Sequence, residues 1–337
     1  MAAPFATLRQ WLNIQNPKFN RVRHRGAFRQ QAEWGGPVTW REWTDFNIDN
    51  INQLFGRILS LPLPPPSLHC PLALSDAQLA IEREGSLDFV LARHNNGIVN
   101  KALEIAMRPG YINPPLDDKS FLCWSPGCAA PHSSFLPDWS AIASDTRGQD
   151  VQDRLPGESK LLKSFPTYCD VAELPEGELK HAQLTLMHAN YYSYMAESRY
   201  CYIPTTEGLA VIRRRRYLTD TRRSPPGTRS RGNTGSRQRP TTRSMTAGAL
   251  DLQQADFRAP TRALAAPDDY RPSLEPDVGE QVELEVAFVP WVAVAPSELS
   301  VNLALWALHM LARVDDSVKD VPYSPIQIDR VYMDAFL

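Results

Sequence analysis

Apolar residues recur at helical steps in several stretches of the chain and alternate in shorter ones between them. Trp43, Phe46, Ile51, Leu54, Phe55 and Ile58 fall near helical spacing, which predicts a helix over residues 39–59 with Thr39 as its cap. Residues 75–107 are helical in pattern from a cap at Ser75, with Leu79, Leu87, Val90, Leu91, Ile98, Leu103 and Ile105 on apolar faces. Asn95-Asn96-Gly97 predicts a break within that stretch, and Pro109-Gly110 its end. Strand-like runs follow over 120–124, 138–143 and 157–162, separated by turn-rich segments. Leu179, Ala182, Leu186, Ala189 and Met195 then mark a helix over 178–198. Residues 199–204 and 209–213 read as two strands around the turn Thr205-Thr206-Glu207-Gly208, a hairpin signal.

Beyond the hairpin the pattern stops. Residues 219–250 are Pro, Gly, Ser, Thr and Arg with almost no apolar residues, too little to offset the entropy of ordering them, so disorder is expected over 219–278. A strand over 281–291 and an apolar helix over 297–313, capped at Ser297 or Ser300, bring order back. A buried strand and helix need partners, so residues 279–337 are expected to complete the core formed by 67–218. The run Leu61-Pro62-Leu63-Pro64-Pro65-Pro66-Ser67 cannot continue a helix, which sets off residues 1–66 as an N-terminal helical extension with a stiff linker. The whole reads as an α/β protein, with helix, three strands, helix and two strands in order before the insertion.

Charge changes this picture more than composition does. The chain of 337 residues has a net charge of −2, but residues 213–243 hold eleven arginines and one acid, Asp220. The remainder has 25 basic and 37 acidic residues, a balance of −12. Three readings are open for the basic segment: a salt-sensitive nucleic-acid contact, an import signal at Arg213–Arg216, or a low-complexity expansion. The five cysteines are scattered and lack the second pair a zinc site needs, which fits free or buried thiols in a reducing compartment. No apolar run is long enough to span a bilayer, and residues 1–13 lack the pattern of a secretion signal. These features predict an intracellular protein, nuclear or cytoplasmic, with no membrane partner.

Two short patches carry the candidate chemistry: Leu136-Pro137-Asp138-Trp139 and Leu155-Pro156-Gly157-Glu158-Ser159-Lys160-Leu161. In a strand, Glu158 and Lys160 point to one face because side chains alternate. An antiparallel strand beginning near Asp138 brings its carboxylate to the same edge. Two carboxylates and an ammonium suit Mg²⁺ or Mn²⁺ and the activation of water against a phosphodiester. The bland alternatives are a turn aspartate after proline and an ion pair on a strand edge.

In this arrangement the chain resembles the PD-(D/E)xK restriction-endonuclease-like superfamily, and more narrowly a group of uncharacterised fungal proteins within it. The resemblance rests on PDW at 137–139, LPGESKL at 155–161, RYCYIPTTEGLAVIR at 199–213 and SVNLALWALHMLA at 300–312, and it covers roughly residues 75–313. It implies a restriction-endonuclease-like core, a mixed sheet flanked by helices in αβββαβ order. It also implies Asp138 and Glu158 as metal ligands and Lys160 as the catalytic lysine. From the first helix it implies a further glutamate, with Glu82, Glu84 and Glu104 as candidates and Glu84 the choice. From the second helix it implies a polar residue, for which Gln183 is the nearest fit. Some branches pair such a glutamine with a tyrosine four residues on, but position 187 here is methionine. A Mg²⁺- or Mn²⁺-dependent nuclease acting on DNA or RNA is the function implied. The rival class is a binding or scaffold module on the same fold with a degenerate site.

Overall fold

The computed structural model describes residues 7–23, 38–63, 71, 73–107, 122–127, 136–143, 153–161, 176–196, 198–218, 280–293 and 298–314. The basic segment beyond residue 218 and the disorder expected over 219–278 lie outside the described residues. In chain order the elements are α1 (Leu8–Leu12), β1 (Arg21–Val22), β2 (Thr39–Glu42), α2 (Ile48–Leu59), β3 (Ala80–Ile81) and α3 (Glu84–Val90). A turn of π-helix, Leu91–Asn95, leads into α4 (Asn96–Ala106). Then come β4 (Leu122–Pro126), β5 (Trp139–Ala143), α5 (Glu176–Met195), β6 (Tyr200–Pro204), β7 (Gly208–Leu218), β8 (Glu280–Pro290) and α6 (Val301–Val314). The protein is α/β with a mixed sheet.

The sheet is built around one hairpin and one inserted segment. β6 and β7 pair antiparallel, β7 and β8 pair antiparallel, and β2 adds parallel to β8. On the far side β4 and β5 pair antiparallel. Residues 157–160 join the two halves, with Trp139 bridging Gly157 antiparallel while Gly157 and Lys160 bridge Tyr202 and Thr205 parallel. The strand expected over 157–162 is therefore an extended segment held on both edges. Gly157 is required there, because a Cβ would come within 2.3 Å of the Tyr202 ring. The hairpin turn closes as its sequence indicates, with Glu207 and Gly208 N–H groups both donating to Thr205 Oγ1.

Three expectations are corrected. The helix expected from a cap at Ser75 begins only at Glu84, and Ala80–Ile81 before it is strand β3, paired with β1. The helix expected from Thr39 begins at Ile48, capped by Asn47, whose Oδ1 accepts from Asn50 N at 2.9 Å. Thr39–Glu42 is instead strand β2, because its backbone groups find partners on Thr39↔Glu283 through Glu42↔Val286. The break at Asn95-Asn96-Gly97 is absent. The π turn directs Asn95 inward, where its Nδ2 donates to Asn16 Oδ1 and Asn302 Oδ1, each at 2.7 Å. Those tertiary bonds outweigh the weak helix propensity of the triplet.

The basic quartet at 213–216 is not a free tag, since its first two members are buried in β7. Arg213 donates to Glu285 Oε2 at 2.6 Å and lies over the Trp43 ring, while Arg214 Nε donates to Asn190 Oδ1 at 3.0 Å. Such buried guanidinium groups are unavailable to a receptor.

The principal core joins α1, α2, α4 and α6 with β4 and the inner face of β6 and β7. A second cluster lies between α5 and the other face of β6, β7 and β8, around Leu186, Cys201, Ile203 and Ile212. At the start of α6, Ser300 Oγ accepts from Leu303 N, the capping role expected of it, and donates to Leu12 O. Tyr191, Tyr192, Tyr200 and Tyr202 are buried packing residues. Cys123 and Cys201 are free thiols. Among the described residues no helix is long and apolar enough to cross a membrane.

Candidate active site

The extended segment 157–160 sets the geometry. Trp139 N and Gly157 N each donate to the other's carbonyl at 3.0 and 2.8 Å, so Asp138 sits directly beside the strand edge that carries Glu158. On the opposite edge, Glu158 N donates to Tyr202 O at 3.1 Å and Lys160 N to Pro204 O at 3.0 Å. This double anchoring fixes the pleat, and Glu158 and Lys160 share one face as alternation requires. Lys160 Nζ donates to Glu158 Oε1 at 2.6 Å and lies 3.8 Å from Glu84 Oε1. Asp138 is held by the backbone between them, its Oδ2 accepting from Ser159 N at 2.9 Å.

Four of the five expected residues thus converge. Glu84 is the first residue of α3 and the outermost member, its side chain 47% exposed. The other glutamate candidates are engaged elsewhere, Glu82 with Arg21 and Glu104 with Lys101. Gln183 is not the residue that α5 presents to the cluster. His188 is, with Nδ1 3.5 Å from Glu158 Oε1. Five positions separate the two, which rotates them about 140° apart around the helix.

Asp88 and His188 join the candidate cluster without having been expected there from the sequence. Asp88 lies one turn after Glu84 on α3, where its Oδ1 accepts from Ser159 Oγ and from Trp139 Nε1 at 3.1 Å. Ser159 therefore ties Asp88 to Asp138, through its hydroxyl on one side and its amide on the other. The signal for Asp88 was present as a carboxylate at i+4 from Glu84, on the same helix face. The signal for His188 was its spacing to Tyr192, the polar-then-tyrosine interval that was sought from Gln183. Tyr192 packs against His188 with ring centroids 4.6 Å apart and planes tilted by 39°, and its hydroxyl donates to Leu136 O at 3.1 Å.

Burial dominates the electrostatics. It pushes the Glu158 carboxyl up to about 7; Lys160 opposes the rise, and Asp138 and Glu84 add to it. The Asp88 carboxyl rises to about 6 through burial and then the Asp138 charge, and burial raises Asp138 as well. For Lys160, burial acts to lower the pKa, but Glu158 and Glu84 outweigh it and hold the ammonium above its ordinary range. Burial and then the Lys160 charge push His188 down to about 3, so its contact with Glu158 is that of a neutral imidazole. The cluster keeps a charged lysine among carboxylates that resist ionising together.

One atom stands out. Glu158 Oε2 is buried and accepts no hydrogen bond, while Oε1 carries the lysine. A buried carboxylate oxygen without a donor is costly, and a cation removes that cost. Among the described residues no three or more His, Cys, Asp or Glu side chains form a ready-made cation cage. The donor set suits a hard ion taking one or two carboxylates and filling its remaining positions from water and substrate, the habit of Mg²⁺. No family model, curated protein or solved structure matches the chain.

Proposed function

We propose that the chain is a Mg²⁺- or Mn²⁺-dependent phosphodiesterase acting on DNA or RNA, on a restriction-endonuclease-like core. The unpartnered Oε2 of Glu158, beside Asp138 and Lys160, is the observation that carries this reading. It is supported by the order α3–α4, β4, β5, the 157–160 segment, α5 and β6, with the aspartate at the head of β5 and Glu-x-Lys on the next extended segment. The basic run after β7 adds attraction for a polyanion. A nucleic-acid substrate of this kind agrees with an intracellular place of action, nuclear or cytoplasmic.

In this reading Asp138 and Glu158 supply the oxygens that hold the cation, with Glu84 at the margin. The bound ion would acidify a water and polarise a phosphoryl oxygen. Lys160, kept protonated by its neighbours, donates to the phosphoryl oxygens as negative charge develops rather than serving as a base. Asp88 and Ser159 brace Asp138 from behind. His188 takes the place on α5 that Gln183 was expected to fill.

The Lys160–Glu158 pair also favours a second reading. An ammonium 2.6 Å from the carboxylate already neutralises much of its charge, as in a degenerate site retained for structure in a binding module. Cleavage and calorimetry separate the two. The nuclease reading expects the purified protein to cut labelled DNA or RNA in Mn²⁺, with a loss of about 100-fold or more in Asp138→Ala and Lys160→Ala. Folded protein that binds no Mn²⁺ at millimolar concentration, or whose cleavage survives both substitutions, overturns it in favour of the binding module.

A further inference from the structure

The two carboxylates of the candidate site come from patches twenty residues apart in sequence, yet both patches meet the same turn of α5. His188 Nδ1 lies 3.5 Å from Glu158 Oε1, on the strand side. Tyr192, one turn on, donates its hydroxyl to the carbonyl of Leu136 at 3.1 Å, two residues before Asp138. The two rings lie tilted against each other at 4.6 Å, and Tyr191 packs against Tyr192 at 5.9 Å between centroids. Both rings are largely buried, whereas Leu136 itself is exposed.

This linkage has a geometric consequence. Asp138 is anchored at its carboxylate by Ser159 N at 2.9 Å and at its carbonyl by Gly127 N at 2.8 Å, where the chain enters β5. The Tyr192 bond to the Leu136 carbonyl adds a restraint two residues before Asp138. The His188 ring, wedged between Tyr192 and Glu158, restricts the glutamate rotamer from the same helix. We propose that His188 and Tyr192 form a positioning clamp, through which one turn of α5 fixes the separation of the Asp138 and Glu158 carboxylates. The proposal rests on the cation-site reading above and assigns neither residue a contact with substrate. Outer partners of this kind commonly change metal affinity by 10- to 100-fold.

Tyr192→Phe is the informative variant because it keeps the ring on His188 and removes only the hydroxyl. Isothermal calorimetry with Mn²⁺ on the full chain is expected to show affinity about tenfold weaker in Tyr192→Phe and in His188→Ala. His188→Gln, which retains a polar group of similar reach, is expected to stay within about threefold of the parent. Unfolding midpoints measured in parallel separate clamp loss from general destabilisation, since the clamp predicts weaker Mn²⁺ binding in Tyr192→Phe at an almost unchanged midpoint. Parent-like affinity in both Tyr192→Phe and His188→Ala, with Asp138→Ala still abolishing binding, overturns the clamp and leaves the cation site standing. If the parent protein itself binds no Mn²⁺, the clamp and the cation site fall together.

Discussion

Replacing Asp153 with asparagine should stabilise the protein more at pH 8 than at pH 5, by about 3 kcal/mol. Asp153 is 1% exposed, and its Oδ1 accepts from Ala141 N at 2.9 Å and Leu155 N at 3.0 Å, closing the turn that feeds the Glu158 segment. Its other oxygen is buried as well, and the Ser140 side chain also hydrogen-bonds to the carboxyl. Burial pushes the carboxyl up to about 7 from an ordinary 3.8 despite those donors. The folded chain therefore keeps a proton that the unfolded chain releases, and stability falls as pH rises from about 4 to 7 and levels above that. At 1.36 kcal/mol per pH unit, the full penalty is about 4 kcal/mol at pH 8 and between 1 and 2, roughly, at pH 5. Asparagine keeps the accepting oxygen and removes the titration. The cost of burying its NH₂ does not depend on pH, so it cancels when the two pH values are compared. Glu158 and Asp88 titrate in both proteins and cancel likewise. Urea unfolding of parent and variant at pH 5 and pH 8 gives the double difference directly. A variant effect that is equal at the two pH values, or larger at pH 5, refutes the assignment of a raised Asp153 carboxyl.

Two other outcomes follow from the same structure. Because the Glu158 carboxyl sits at about 7, a cation there must displace a proton below that pH. Mn²⁺ affinity measured by calorimetry should then rise about fivefold from pH 6 to pH 7, about tenfold by pH 8, and flatten above that, and a flat profile throughout would exclude Glu158 as a ligand. At the other end of the sheet, Glu285 accepts from Arg41 and Arg213, each at 2.6 Å, and locks β2 to β8 and β7. Glu285→Ala takes the 2.5 Å carboxylate away from a 2%-exposed guanidinium, with Asp45 3.9 Å distant, so a loss of about 3–5 kcal/mol is expected in chemical unfolding.

Much of the site was legible because it depends on local rules. Period-2 alternation put Glu158 and Lys160 on one face, and the structure brings Lys160 Nζ onto Glu158 Oε1. The turn chemistry of Thr205 to Gly208 closed the hairpin where the sequence marks it. Glu84 lies beside Lys160, where the resemblance implied a glutamate from the first helix. What escaped were side chains whose role depends on a distant partner. Asp88 meets a serine 71 positions away, and His188 meets a glutamate on the far side of the 162–175 stretch. Each leaves only a faint local mark, the i+4 step from Glu84 and the four-residue interval to Tyr192, and neither mark tells which distant residue is met.

Strand β2 makes the same point for the backbone. Thr39 to Glu42 extends an apolar pattern that suits a helix, and only pairing with Glu283 to Val286, over 240 positions later, makes it a strand. By itself the sequence determined which residues alternate, where turns close and which helices have an apolar face, because propensity and periodicity act over a few residues. Tertiary structure decided which carboxylates lose water, which oxygen is left without a donor, and which face of α5 meets the cluster. Those outcomes depend on desolvation and on neighbours brought in from across the chain.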